Sequence, residues 1–217
     1  MGSEMCIRDR RCENWLSHFC RSGANAPYMQ IWAGLGNPGP KYAMHRHNVG
    51  FMAADVLAEM HDFGPVQKKF QGWVQEGRIG TAKVLLLKPA TFMNESGRSI
   101  GEAMRYYKLG PHDVTVFYDE LDLDPFKVKV KRGGGAAGHN GIRSTIQHIG
   151  ADFRRVRLGI GHPGHKDRVS SYVLGNFAKA EQDDLVQMLG AIGAEAEWLS
   201  KGDDARFMSD LALRLQN

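Results

Sequence analysis

Four side chains stand where strand-like segments run into polar loops, and their types suit hydrolysis by water: His47, Asp119, Asn37 and Asn94. A histidine with an ordinary pKa of about 6.5 is a usable base at neutral pH, and a carboxylate on its far nitrogen fixes the tautomer and stabilises the imidazolium. Asp119 is placed to do this for His47. The amides of Asn37 and Asn94 can donate to a developing oxyanion, or hold a water or a substrate carbonyl. Cys6, Cys12 and Cys20 are the only cysteines and all lie near the start, so the body of the chain has no cysteine nucleophile and no thiolate metal site. No serine elbow is present either, which makes direct attack by a base-activated water the more economical chemistry. Each residue taken singly also has a structural explanation: a histidine at a helix start caps, Asn37 before Pro38 makes a turn, and an aspartate ending a strand caps the next one. His45-Arg46-His47 and His162-Pro163-Gly164-His165 lack an acidic or cysteine partner at a metal-ligand spacing, so neither a metal nor a cofactor is expected.

A second cluster is Gly133-Gly134-Gly135-Ala136-Ala137-Gly138-His139-Asn140-Gly141. Its glycines free the backbone to turn tightly, and it delivers His139 and Asn140 to what reads as a helix start. It lacks the Lys-Ser/Thr ending of a nucleotide P-loop. Just before it, Lys127-Val128-Lys129-Val130-Lys131 alternates with a strand's period, which sets all three lysines on one face. Between Pro125 and Arg168 there are ten Lys or Arg against Asp152 and Asp167; from Val169 onward the balance reverses to four basic and eight acidic residues. A local excess of this kind, inside a formal net charge of only +4, is the footprint of a polyanion partner; the plain alternative is a solvated basic face.

The elements that must carry these residues alternate. A strand over Gln30–Leu35 meets the turn-rich 36–40, and helical spacing over Asn48–Met60 puts His47 at the carboxyl end of that first strand, where open α/β sheets bind ligands. Strands follow near Gly72–Ile79 and Lys83–Leu87, then a polar loop through Asn94 and a helix over about Ser96–Tyr107. Val114–Tyr118 reads as a buried strand ending on Asp119. The lysine strand, the glycine loop, a helix over Gly141–Ile149, a strand over Arg155–Gly161 and a closing helix over Lys179–Leu199 complete the order. The expectation is a single α/β domain, a twisted mixed sheet flanked by helices. A length of 217 residues suits one domain, and no apolar run is long enough to span a membrane. With no signal-peptide pattern, the expected location is the cytoplasm. Met1 to Tyr28 lacks periodicity and reads as a non-native or mis-annotated leader, leaving 29–217 as the domain. An organelle-targeting segment is the alternative, disfavoured by Glu4, Asp9 and Glu13.

Six blocks then resemble, in order, the signatures of the bacterial peptidyl-tRNA hydrolase family. They are Gly34-Leu35-Gly36-Asn37-Pro38-Gly39; Tyr42 with Arg46-His47-Asn48-Val49-Gly50; Lys88-Pro89-Ala90-Thr91-Phe92-Met93-Asn94; Asp119-Glu120-Leu121-Asp122; Gly138-His139-Asn140-Gly141; and Arg157 through Gly164. The resemblance implies hydrolysis of the ester between a peptide and the 3′ ribose of tRNA, by a metal-independent monomer whose partner is peptidyl-tRNA. It implies that His47 activates water with support from Asp119, and that Asn37 distinguishes N-blocked substrates from free aminoacyl-tRNA. Tyr42, Phe92, Asn94 and Asn140 match substrate-contacting positions, Met93 lines the site, and His139 is an accessory. Lys129, Lys131, Arg157, Lys166 and Arg168 fall where the family meets the tRNA backbone. One departure stands out: Ala136-Ala137 occupy positions where the family commonly has histidine and glycine. Two rivals remain, an RNA-binding protein on this fold without catalysis and an esterase for small molecules. The first needs the basic face but not the four polar residues; the second needs no basic stretch.

Overall fold

The computed structural model describes residues 29–216, so the expectation of a leader over 1–28 lies outside the described residues. Seven strands form one sheet: β1 (Met29–Gly34), β2 (Gln67–Lys69), β3 (Gly72–Ile79), β4 (Ala82–Pro89), β5 (Val114–Glu120), β6 (Val128–Arg132) and β7 (Arg154–Gly159), in the order β2-β3-β4-β1-β5-β7-β6. β4, β1, β5 and β7 run parallel, and β2, β3 and β6 pair antiparallel at the two sides. β1, β4 and β5 are largely apolar because helices cover both of their faces, whereas β7 carries Arg154, Arg155 and Arg157. On one face α1 (Val49–Met60), α5 (Gln182–Lys201) and α6 (Asp204–Arg214) bury Trp32, Leu86, Phe117 and Val156; on the other, α2 (Ser96–Tyr106) and α3 (Asn140–Ile149) bury Ile31, Leu85, Leu87 and Val116.

The chain leaves β1 through α1 toward the β4 side and returns through α2 to β5 on the other side of β1. This is the switch point at which a crevice opens outside the carboxyl ends of the strands. Two glycines set how closely α1 approaches that crevice. A Cβ on Gly34 would run into the Gly50 carbonyl, and one on Gly50 into the Phe117 carbonyl, so the start of α1 lies backbone to backbone against β1 and β5. His47, three residues before Gly50, is thereby held over the strand ends.

Three expectations change. The helix expected to close the fold is followed by another: Gly202 takes φ 82 and stops α5, and Asp203 then caps α6 by accepting from the Arg206 amide at 3.0 Å. β2 is an additional strand, three exposed polar residues too short to show a period. Lys127 sits in the turn before β6, ion-paired with Asp124 at 2.6 Å, so only Lys129 and Lys131 share the strand face.

Candidate active site

At the carboxyl edge of the sheet lies a cleft of about 1010 Å³. The loop after β1 brings Asn37 and His47 to it; the loop after β4 brings Phe92, Met93 and Asn94; Asp119 and Glu120 end β5 there; and the glycine loop contributes Ala137, Gly138, His139 and Asn140. Lys166, from the 3-10 turn that precedes the short helix α4 (Val169–Val173), stands on the remaining wall with Val169, Ser170, Val173 and Leu174.

Asp119 is the hub. Its carboxylate is buried, and His47 Nδ1 lies 2.9 Å from both of its oxygens. His139 Nε2 lies 2.9 Å from Oδ1. The tautomers follow from the partners. His139 caps α3, its Nδ1 accepting from the Ile142 amide at 3.2 Å, so its proton is on Nε2 and is donated to Asp119. His47 donates from Nδ1, which leaves the Nε2 lone pair as the basic position of the ring. Burial by itself would raise the Asp119 carboxyl, but the two imidazoles outweigh it and hold the group well below the usual carboxylate range. For His47, burial disfavours the cation, yet the charge and hydrogen bond of Asp119 prevail and lift its pKa above the ordinary histidine value. The ligating atoms of His47, Asp119 and His139 all fall within 4.8 Å of one another, as a metal site requires. Their separations of 2.9 Å are hydrogen-bond lengths, shorter than the roughly 3.4 Å that metal bonds of about 2.1 Å in tetrahedral array impose. The cluster is built around protons.

Asn37 is held by three hydrogen bonds. Its amide N–H donates to Asn48 Oδ1 and its carbonyl accepts from Asn48 Nδ2, both at 2.9 Å, and its own Oδ1 accepts from the Met93 amide at 2.9 Å. The side-chain NH₂ is the group left to face the cleft. Asn94 is exposed on the rim, and Asn140 is exposed with its Oδ1 accepting from Arg143 at 3.2 Å. Tyr42 is half-buried outside the cleft lining, its ring edge-on to His45 at 5.3 Å.

The basic stretch divides in two once it is folded. Lys129 faces Arg157 across the β6–β7 ladder and Lys131 faces Arg155, on the same side of the sheet as Tyr118. Arg157 is paired with Glu120, Nε to Oε2 at 2.8 Å. Arg154 donates to the Leu199 carbonyl and pairs with Asp204, and Arg155 is fully buried. Arg154 and Arg155 are therefore committed to the protein, Lys131 and Arg157 are partly exposed, and Lys127, Lys129, Arg132, Arg143, Lys166 and Arg168 carry the exposed charge. Sequence reasoning passed over Glu120, Asn48 and the α4 wall. The signal for Asn48 was its place beside His47 in a loop otherwise rich in polar residues; the α4 wall is a five-residue helix with no period to read.

The sequence profile of the peptidyl-tRNA hydrolase family matches residues 31–216. The peptidyl-tRNA hydrolase of Erythrobacter litoralis is 87% identical over 188 residues, covering 87% of this chain and 100% of that protein; that of Sphingopyxis alaskensis is 76% identical with the same coverage. A crystal structure of peptidyl-tRNA hydrolase from Acinetobacter baumannii superposes with a TM-score of 0.80 at 37% identity, covering 87% of this chain and 97% of that one.

Proposed function

The chain belongs to the peptidyl-tRNA hydrolase family and hydrolyses peptidyl-tRNA, and from that premise we propose that His47 is the general base and Asp119 its orienting partner. His47 Nε2 takes a proton from a water as the water oxygen attacks the ester carbonyl. Asn37 and Asn94 donate to the oxyanion that forms. The tetrahedral intermediate collapses, the imidazolium returns its proton to the departing ribose oxygen, and a free peptide carboxylate and a recyclable tRNA remain. Asn37 reads the blocked peptide through its NH₂ group, and Phe92, Met93 and Asn140 hold the acyl and terminal nucleotide portions. Lys129, Lys131, Arg157, Lys166 and Arg168 meet phosphates, a contact that is salt-sensitive and indifferent to tRNA sequence. Tyr42 acts from outside the cleft, through His45. The enzyme works as a monomer in the cytoplasm, where translation supplies its substrate. No metal enters any step.

The observation that carries this reading is the hydrogen bond of His47 Nδ1 to the buried Asp119, which leaves one nitrogen of the ring for water. The test is hydrolysis of N-acetyl-aminoacyl-tRNA beside unblocked aminoacyl-tRNA, with and without chelator, by the parent enzyme and Asn37→Ala. Chelator-insensitive preference for the blocked substrate, relaxed in the variant, supports it. Binding without cleavage would favour a catalytically silent RNA binder, and a chelator-sensitive reaction would overturn the metal-free mechanism.

A further inference from the structure

We propose that Arg155 is a positioning residue of the active site, holding the glycine loop so that His139 reaches Asp119, and that it does not serve the tRNA phosphates. The inference rests on the assignment of His47 as base. Arg155 lies in β7 with no exposed surface. Its Nη1 donates to the Gly135 carbonyl and its Nη2 to the Gly134 carbonyl, both at 2.5 Å, and the guanidinium stacks on Phe153 with 4.6 Å to the ring centroid. A buried cation persists only where acceptors meet it; beside the Tyr118 hydroxyl, those that meet Arg155 are two main-chain oxygens of a single loop.

That loop needs an anchor. Gly133, Gly134, Ala137 and Gly138 take φ of 72, 93, 45 and 83, a left-handed path that supplies no regular ladder of its own. Beyond the two carbonyls held by Arg155, the Ala136 carbonyl accepts the His139 amide at 2.8 Å. The His139 ring then spans from the α3 amide to Asp119. The arginine fork is thereby joined to the hub of the site through the loop backbone from Gly134 to His139. Arg157, two residues on, faces the same way but is tied to Glu120 at the cleft, so neighbouring arginines of one strand have different tasks.

The consequence is readable in the pH profile. Asp119 and His139 face His47 across the site, His45 faces it from its own turn with Lys41 behind, and Lys166 stands on the opposite wall. Glu120 lines the same cleft and Tyr118 lies edge-on to His139 at 5.0 Å, both bearing on Arg155 as well; His139 is the group that the glycine loop joins to Arg155. Freed from the loop, His139 no longer donates to Asp119, whose charge then acts more fully on His47 and makes it easier to protonate. The experiment compares Arg155→Lys, Arg155→Met, His139→Ala and the Arg155→Lys/His139→Ala pair for kcat/KM against pH on N-acetyl-aminoacyl-tRNA, with His47→Ala as control. Arg155→Lys keeps the aliphatic stem and the charge, so the test does not depend on the Met variant folding.

The expected result is a fall in kcat on the order of 10- to 100-fold, as misplacement near a reacting centre produces. The acid limb moves to higher pH in both Arg155→Lys and His139→Ala, and the double variant is no worse than His139→Ala. A lower folded fraction cannot move the limb. An unmoved acid limb with additive losses overturns the proposal, as does unchanged kcat with a flatter salt dependence of tRNA binding, which would make Arg155 a phosphate contact. Normal turnover by His47→Ala would instead remove the catalytic assignment on which the inference rests.

Discussion

Replacing Asp119 by Asn removes one charge and leaves the shape. The carboxylate meets three contacts, His47 Nδ1 on both oxygens and His139 Nε2 on Oδ1, all at 2.9 Å. His139 cannot reverse its tautomer without losing the Ile142 amide from its Nδ1, so the Asn carbonyl must take the Oδ1 position. The NH₂ then occupies the Oδ2 position and points its hydrogens at His47 Nδ1. His47 either shifts to share the single oxygen or moves its proton to Nε2, the position that must stay bare to accept one from water. Either way the imidazolium formed at the transition state loses its counter-charge. At about 4 Å between charge centres and an effective dielectric of about 20, the loss is on the order of 4 kcal/mol, roughly a thousandfold in kcat. With Asp119 neutral, burial is left to act on His47, and the acid limb of the profile moves to lower pH. The assay is single-turnover hydrolysis of N-acetyl-aminoacyl-tRNA across pH 5 to 9, with circular dichroism to establish folding. A folded Asp119→Asn enzyme within about threefold of the parent and with an unmoved limb would refute the hub assignment.

Two further outcomes are expected elsewhere. Ala137 holds φ 45, a left-handed conformation that favours glycine, so Ala137→Gly relieves about 1–2 kcal/mol of strain. Against the flexibility that glycine adds to the unfolded chain, the net gain is about 0.5–1 kcal/mol, a rise of a few degrees in Tm by calorimetry. Replacing Lys129 and Lys131 together by Ala weakens tRNA binding and lowers the slope of log affinity against log salt by between one and two, with kcat preserved at saturation; an unchanged slope would move the phosphate contact elsewhere.

Much of this arrangement was legible before folding, for physical reasons. The central strands β1, β4 and β5 are largely apolar, and the polar residues at their ends are unexplained by the core, so Asn37, His47, Asn94 and Asp119 stand out. What escaped was whatever depends on contacts between distant segments. Arg155 alternates with Val156 as an exposed strand residue would, and it is the return of the glycine loop over β7, with Phe153 beneath the guanidinium, that covers it. His139 could be placed at a helix start from its neighbours, but its bond to Asp119 joins residues that only the β5–α3 juxtaposition brings together. Gly202-Asp203 carries a readable stop and start, a glycine ahead of a capping aspartate, but the helix after it buries Phe207 and Leu211 alone, too little for its period to stand out.

The most direct test of the central claim is the turnover of His47→Ala at saturating N-acetyl-aminoacyl-tRNA, measured beside its affinity for the same tRNA. A positioned base contributes about a hundred- to ten-thousand-fold, so kcat is expected to fall by that factor while binding stays within about twofold of the parent. Near-normal turnover with intact binding would contradict the account and require a different group to activate the water.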